Sequence, residues 1–590
     1  MVHPGRNRRT LQAKRDALLD RLAAKGIITD ATAALAKLEP LPDRPYPLPR
    51  LAPHLLERFK KEHRSLQTAT TRIRTTLDGT LQHQVADIVD RHHRRLSANG
   101  IDNAAALVLD VETGHARAYV GNVHQAQKPE AETQVDLITA RRSPGSTLKP
   151  LLYAAMLSDG LILPHTLIPD IPTQIGGYTP QNHDLGYSGA IPASRALSRS
   201  LNIPAVKMLQ QYRYQRFHPL LRRLGVRTLD RPADFYGLSM ILGGCEVTAW
   251  ELAGTYASLA RTLNHYRSLR GNYRPSDYHP PTYLSRPTEP TDGPTERSSM
   301  LDHASLYFTF EAMKEVMRPG EEALWEQFAS SRKVAWKTGT SFGFRDGWAI
   351  GLTPAHVVCV WVGNADGEGR PGLTGIETAA PILFEIFGLL PAAGWFEPPV
   401  DRMVQTAVCR ESGHLAGADC PYADTTYIPV PGHRSPVCPY HQTIHTDLAG
   451  NYRVTADCAP PDAIVATPWF ILPPAMEFYY KTRHSGYREL PPFAPGCQPD
   501  EAAVMELIYP KNNAKIYIPL EIDGQRGQVI FSAAHRKRDS RVYWHLDNVF
   551  VGETQTFHQL ALDIPAGSHR ITLVDDDGAR ISQRFEVLQK

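Results

Sequence analysis

Arg142-Ser-Pro-Gly-Ser146-Thr-Leu-Lys149-Pro150 is the stretch from which the rest of this sequence is best read. Pro144 and Gly145 interrupt whatever precedes them, so a helix is expected to start near Ser146. Residues three apart on a helix share a face, which lets the Lys149 amine reach toward the Ser146 hydroxyl. A serine at a helix start also has a backbone N–H without an intrahelical partner, available to a developing oxyanion. By itself Ser-x-x-Lys is common, and it equally describes an ordinary helix start with an exposed lysine.

Two later motifs narrow the reading. Ser200-Leu201-Asn202 stands at the end of a helical stretch, before Ile203-Pro204, where a hydroxyl and a carboxamide two residues apart can face one cleft. Lys337-Thr338-Gly339-Thr340 opens a strand-like run and is followed by Ser341-Phe-Gly-Phe-Arg345-Asp346. A glycine there lets another backbone approach closely. A peptide-like substrate laid along a strand edge needs that approach, and the flanking Lys and Thr can donate hydrogen bonds to a carboxylate. Singly, these are a helix terminus and a surface hairpin. Their order and settings agree, as helix start, inter-helix turn and edge strand, and together they are far more specific than any one alone. That combination is the signature of penicillin-binding proteins and class A β-lactamases.

Around the motifs the chain reads as α+β. Residues 1 to about 40 are helical, with Thr29 or Asp30 capping a second short helix, and Pro40 to Pro49 is too proline-rich to continue it. Residues 81–98 return to helix, and 104–111 and 116–120 form a hairpin about Glu112-Thr-Gly114. Helical stretches follow at 146–159, 191–212, 246–263 and 304–318, then strands at 346–351 and 357–362. Strands at both ends of such a segment imply a sheet closed by distant parts of the chain. Residues 396–500 are rich in Pro, Cys, His and Tyr with little periodicity, and 501–590 alternate like a small β-sandwich.

Composition sets the outer bounds. At 590 residues the chain is long enough for about three or four domains. A 42% hydrophobic and 21% charged content excludes disorder, and a net charge of +3 gives no reason to expect a nucleic-acid partner. The basic start (Arg6, Arg8, Arg9, Lys14, Arg15) interleaves with Leu11, Leu18 and Leu22 at helical spacing, so it reads as a solvated helix face. No apolar run approaches the ~20 residues of a membrane span, and no secretory h-region is visible. Cys245 and Cys359 sit in apolar surroundings, whereas Cys409, Cys420, Cys438, Cys458 and Cys497 are grouped. Such grouping means disulfides or thiolate ligation of metal. Cys438-Pro-Tyr-His441 with Cys409 and Cys420 could bind zinc, although the spacing matches no standard finger.

The sequence resembles the bifunctional class A penicillin-binding proteins, and within them the 1C type. Besides the three motifs, the likeness rests on Thr76-Leu-Asp-Gly-Thr-Leu-Gln82, Tyr178-Thr-Pro-Gln-Asn182, Lys337 to Gly351, Cys409-Arg-Glu-Ser-Gly-His-Leu-Ala-Gly417 and Asp419-Cys-Pro421. It extends to Trp544, Asp547 and Pro565-Ala-Gly-Ser-His569 near the C-terminus. The middle motif departs from Ser-Asp-Asn by having Leu201, which fits the looser Ser-x-Asn of these proteins. The resemblance implies a helical remnant of a glycosyltransferase domain at 1–50, a linker at 51–75 and a transpeptidase domain at 76–395. A connecting region at 396–500 and a C-terminal β-sandwich at 501–590 complete it. No stretch resembles the acidic Glu-Asp-x-x-Phe-x-x-His glycosyltransferase signature, so a truncated or split product without polymerising activity is expected.

The resemblance further implies a D,D-transpeptidase that cross-links peptidoglycan stem peptides in cell-wall synthesis. Ser146 would be the nucleophile, Lys149 its base, Ser200 a proton relay and Asn202 a substrate-amide contact. Lys337 would lower the Lys149 pKa, Thr338, Gly339 and Thr340 would bind the donor carboxylate, and the N–H groups of Ser146 and Thr340 would form the oxyanion hole. Expected partners are the D-Ala-D-Ala donor, an amine acceptor, β-lactams and a glycosyltransferase that supplies glycan strands. No cofactor and no metal is expected. The family works in the periplasm at the inner membrane, so disulfides are favoured over zinc for the five cysteines, leaving one unpaired. The rival readings are a D,D-carboxypeptidase or β-lactamase-like hydrolase, and a peptidoglycan-binding scaffold with a silent site.

Overall fold

A computed structural model describes residues 7–41, 50–63, 72–123, 131–175, 178–285, 294–316, 332–497, 504–518 and 528–588. They divide into two compact units, residues 1–53 and 54–590. The first holds helices α1 (Arg8–Ala24) and α2 (Asp30–Leu38), with Thr29 as the cap of α2, its hydroxyl accepting from Thr32 N–H at 3.1 Å. Residues 42–49 of the proline-rich stretch lie outside the described residues.

The 51–75 stretch, expected as a linker, contains a packed helix, α3 (Pro53–Glu62). Leu55 is buried, and the Arg58 guanidinium lies 4.0 Å from the Trp250 ring centroid. One apolar face on so short a helix is too little signal to separate it from a linker. Helix α4 (Gly79–Leu96) is capped by Asp78, which accepts from Thr80 and Leu81 N–H at 3.0 Å. Strands β1 (Asn103–Asp110) and β2 (Ala116–Val120) form the expected hairpin.

A 3₁₀ turn at Gly145–Leu148 runs into α5 (Lys149–Ser158), followed by β3 (Leu167–Asp170) and β4 (Gly189–Pro192). The single helical stretch expected at 191–212 is instead two helices, α6 (Ala193–Ser198) and α7 (Asn202–Tyr212). They are broken at Arg199–Leu201, where Ser200 has φ +58°. Beyond them come α8 (Tyr214–Leu224), α9 (Ala233–Tyr236), α10 (Ala249–His265) and α11 (His303–Lys314). Strands β5 (Ala335–Thr340), β6 (Asp346–Leu352) and β7 (His356–Gly363) and helix α12 (Ala380–Leu389) finish this part.

The central sheet has the order β2-β1-β7-β6-β5, so the N-terminal hairpin pairs with a strand some 250 residues later, Leu107 opposite Cys359. Ala104, Ala106, Val108, Val358 and Val360 meet Val85, Ile88, Leu383 and Ile386 of α4 and α12 in one apolar cluster. Leu107 and Leu109, of opposite pleat, are equally buried. Cover on both faces explains why 104–109 is a continuous apolar run rather than an alternating one. Strand β5 is an edge of this sheet.

The region read as unpatterned holds two hairpins, β8 (Met403–Cys409) with β9 (Ala423–Pro429) and β10 (His441–Thr446) with β11 (Val465–Phe470). Helix α13 (Pro474–Tyr480) follows. Of the five grouped cysteines only Cys458 and Cys497 are bonded, one disulfide where two were expected; Cys409, Cys420 and Cys438 are free thiols. At the C-terminus β12 (Met505–Tyr509) begins a sandwich that continues through β13 (Ala514–Tyr517), β14 (Val529–His535), β15 (Arg541–Leu546) and β16 (Val549–Gln555). Strands β17 (His558–Leu562), β18 (Gly567–Asp575) and β19 (Arg580–Leu588) complete it. Sheets β12-β14-β17 and β13-β19-β18-β15-β16 face each other across Phe531, Trp544 and Phe585. The fold class is thus the expected α+β with a C-terminal sandwich. Among the described residues no helix is long and apolar enough to cross a membrane.

Candidate active site

The three motifs, distant in sequence, converge where the 3₁₀ turn at Gly145–Leu148 lies against β5. Two glycines permit the contact. A Cβ on Gly339 would sit 2.4 Å from the Pro144 carbonyl oxygen, and one on Gly145 (φ +52°) would sit 2.6 Å from Thr340 N and O. The turn is pinned from behind: Trp348 Nε1–H donates to Ser143 O at 2.7 Å, and Tyr256 OH donates to Thr147 O at 2.8 Å. Ser146 is half-buried on this turn, and among the described residues its hydroxyl makes no hydrogen bond.

Lys149 is 3% exposed and points its amine at the 200–202 turn rather than at Ser146. It donates to Ser200 O at 2.8 Å, Leu201 O at 3.1 Å and Asn202 Oδ1 at 2.8 Å. Lys337, fully buried on β5, donates to Ser200 Oγ at 2.7 Å and Thr338 O at 2.9 Å. Thus Ser200 bridges the two amines, its carbonyl accepting from Lys149 and its hydroxyl from Lys337, while Asn202 contacts Lys149 alone. Ser200 does so from the left-handed region, a conformation costing about 1–3 kcal/mol for such a residue and found preferentially at functional sites. Burial, then the neighbouring Lys337 charge, hold the Lys149 amine well below the ordinary lysine range, and burial lowers Lys337 to about 7.

The β5 edge supplies the remaining groups. Ser341 N–H donates to Asp346 O at 3.0 Å, one step beyond the Thr340–Gly347 end of the β5–β6 register and in phase with it. Alternation then turns the backbone groups of Thr340 and Thr338 away from β6, toward the open edge. The Thr340 N–H therefore faces the side on which Gly145 and Ser146 lie. The Thr340 hydroxyl accepts from Gly375 N–H at 3.0 Å, while Thr338 is half-buried on the same strand.

Sequence reading did not single out the residues that hold the 200–202 turn. Buried Asn182 accepts from Asn202 N–H at 2.9 Å and Ile203 N–H at 3.2 Å, capping α7. It donates to Asp170 Oδ1 at 2.7 Å, and Asp170 Oδ2 accepts from Ser188 N–H at 2.9 Å. Asn202 Nδ2 donates to Gln181 O at 2.8 Å, leaving both ends of its amide fixed. The one available signal was the Tyr178 to Asn182 segment. Groups able to hold a metal lie in the connecting region, where Cys409, Cys420, Cys438 and His441, the set for which disulfides were favoured over zinc, come together.

The buried amines also affect folding. A lysine that holds its proton less well folded than unfolded makes stability rise with pH between its two pKa values. For Lys337 the window runs from about 7 to the unfolded value of about 10.4. Melting temperature should accordingly climb more between pH 7 and 9 in the wild-type chain than in Lys337→Met. Equal slopes in a calorimetric pH series would show that Lys337 is not depressed.

Residues 104–388 match the penicillin binding protein transpeptidase domain, and residues 494–585 the Penicillin-Binding Protein C-terminus Family. Penicillin-binding protein 1C of Escherichia coli is 31% identical over 389 residues, 66% of this chain and 47% of that protein. Penicillin-binding protein 1A of Neisseria meningitidis is 30% identical over 293 residues, 47% of this chain and 34% of that protein. The chain therefore spans about half, or less, of these curated relatives. The crystal structure of penicillin-binding protein 1A from Haemophilus influenzae shares the fold, with a TM-score of 0.50 at 16% identity over 71% of this chain and 82% of that one.

Proposed function

This chain belongs to the penicillin-binding proteins and resembles their class A members, and from that premise we propose that it is a D,D-transpeptidase acting through a Ser146 acyl-enzyme. The observation that carries the reading is the pair of buried lysine amines joined through Ser200, with Asn202 on the Lys149 side, beside a serine hydroxyl that makes no hydrogen bond among the described residues. Burying two amines together is costly unless one of them is neutral. A neutral Lys149 amine, having given up one of its three N–H contacts and so carrying a lone pair, can take the Ser146 proton as Oγ attacks the penultimate D-alanine carbonyl of a donor stem peptide. The oxyanion forms between the N–H groups of Ser146 and Thr340. The C–N bond then breaks, Ser200 passes a proton to the leaving D-alanine amine, and the ester remains on Ser146. An acceptor amine attacks that ester, forms the new amide, and returns the proton to Ser146 Oγ.

Thr338 and Thr340 bind the donor carboxylate along the open edge of β5, with Gly339 allowing the approach. Asn202 orients the donor amide. A β-lactam presents the same carboxylate and carbonyl and acylates the same serine. The Cys458–Cys497 disulfide fits the periplasm as the place of action, with glycan strands supplied by a glycosyltransferase partner.

Mass spectrometry after labelled penicillin tests the reading. One adduct is expected on the peptide carrying Ser146, absent from Ser146→Ala; an adduct that survives the substitution removes it. Rapid nitrocefin turnover would instead favour a hydrolase, and acylation without cross-linking of paired stem peptides a scaffold.

A further inference from the structure

We propose that Cys409, Cys420, Cys438 and His441 form a structural zinc site that ties the connecting region to the transpeptidase domain. The three sulfurs lie 3.4, 3.5 and 3.4 Å from one atom, His441 Nδ1, and all four donor atoms lie within 4.8 Å of one another. Tetrahedral zinc with Zn–S of about 2.3 Å and Zn–N of about 2.0–2.1 Å has S···N edges of about 3.6 Å. Three near-equal edges are what a shared central cation imposes.

Hydrogen bonding does not account for the arrangement. His441 Nε2 lies 2.7 Å from Glu411 Oε2, and a carboxylate accepts only, so Nε2 carries the proton and Nδ1 carries a lone pair. That lone pair accepts a single S–H, not three. The same contact selects the tautomer a metal needs, in a carboxylate–histidine–metal arrangement. Two sulfurs also receive donors: Ser412 Oγ–H to Cys438 Sγ at 3.1 Å and Gly417 N–H to Cys420 Sγ at 3.3 Å, which favours thiolates. Disulfide formation would pair two of the three sulfurs and strand the third. In the oxidising surroundings that bond Cys458 to Cys497, ligation keeps all three reduced.

The ligands come from two tight turns. Cys409 ends β8, with its N–H donating to His414 O at 2.8 Å, and Cys438 N–H donates to Leu415 O at 2.8 Å just before β10 begins at His441. The knot is attached to the catalytic domain. Leu167 N–H donates to Ser412 O at 2.9 Å, and Ser435 Oγ donates to Gly160 O at 3.0 Å, just past the end of α5. A metal here therefore fixes the segment that follows the helix carrying Lys149.

The full chain, desalted after zinc is supplied during expression, should retain one zinc by elemental mass spectrometry. After chelation and denaturation, five cysteines should alkylate and one disulfide should remain. Cobalt added to stripped, reduced protein should give the absorption of a tetrahedral thiolate complex. Cys420→Ser, at the least buried of the three thiols, should lose at least about tenfold in zinc affinity in a chelator competition. Should that variant misfold, Glu411→Gln keeps all four ligands and should lose affinity by a similar factor. A chain holding less than a tenth of an equivalent, a second disulfide among Cys409, Cys420 and Cys438, or unchanged affinity in both variants would overturn the assignment.

Discussion

Acylation of Ser146 by a fluorescent penicillin is expected to slow by about 10³-fold when Lys149 is replaced by alanine, the central value for loss of a positioned general base. The Lys149 amine is desolvated and faces the Lys337 charge, and both effects favour its neutral form. Only that form has a lone pair for the Ser146 proton. Substitution also leaves Ser200 O, Leu201 O and Asn202 Oδ1 without their donor, so part of the loss could arise from a loosened 200–202 turn. Lys149→Arg separates the two causes, since its guanidinium can still donate to those oxygens but cannot give up a proton to act as base. The pH profile adds a readout that loosening alone does not move. With Lys149 as base, the wild-type acylation rate climbs with pH as the amine loses its proton, and both variants lose that climb. A slowing below tenfold, or a climb that persists without the amine, would assign the base to another group.

How far this site was legible in the sequence depends on what kind of constraint each residue obeys. Ser146, Lys149, Ser200, Asn202, Lys337 and Thr338 to Thr340 were legible because the chemistry restricts residue type and local spacing together. The expectation that they meet in one cleft came with the resemblance; the contact itself, Lys337 to Ser200 across 137 residues, is visible only in the folded chain. Asn182 stood out only within the Tyr178 to Asn182 likeness, and Asp170 not at all, because in a turn-rich stretch both are ordinary turn formers; only the folded chain shows their amide and carboxylate buried and shared. The helix break at Ser200 is legible only as a turn before Ile203-Pro204, because Arg199-Ser-Leu201 carries no glycine or proline to mark it. The connecting region failed for another reason. Periodicity reports burial of apolar faces, and 396–500 is organised instead by two hairpins, a disulfide and a thiol–imidazole cluster, none of which imposes a period. The C-terminal sandwich, held by Phe531, Trp544 and Phe585, shows the alternation that the connecting region lacks.

Gly145→Ala should reduce acylation by about 10²–10³-fold, as much as removing an oxyanion-hole donor, while leaving the fold intact. Two costs meet at this position. The residue has φ +52°, a conformation side chains rarely adopt, and the added Cβ would lie 2.6 Å from Thr340 N and O and 2.8 Å from Thr340 C. The colliding atoms are backbone, so the strand cannot swing a side chain aside; either β5 or the 3₁₀ turn must retreat. Gly339→Ala drives the same two segments apart from the other side, with its Cβ 2.4 Å from Pro144 O and 2.8 Å from Thr147 Cγ2. In both variants the N–H groups of Ser146 and Thr340 move apart, and a donor pair aimed at one oxygen tolerates little of that. Loss of conformational ease alone predicts a different result, which Gly450→Ala measures. Gly450 has φ +71° with nothing within 4 Å of its added Cβ, so the substitution carries the dihedral cost without the collision. It should lower the melting temperature slightly and leave acylation within threefold of wild type. If Gly145→Ala acylated as fast as Gly450→Ala, the close approach of turn and strand would have no part in binding the oxyanion. If all three variants slowed alike, the loss would come from general destabilisation rather than from the geometry at Thr340.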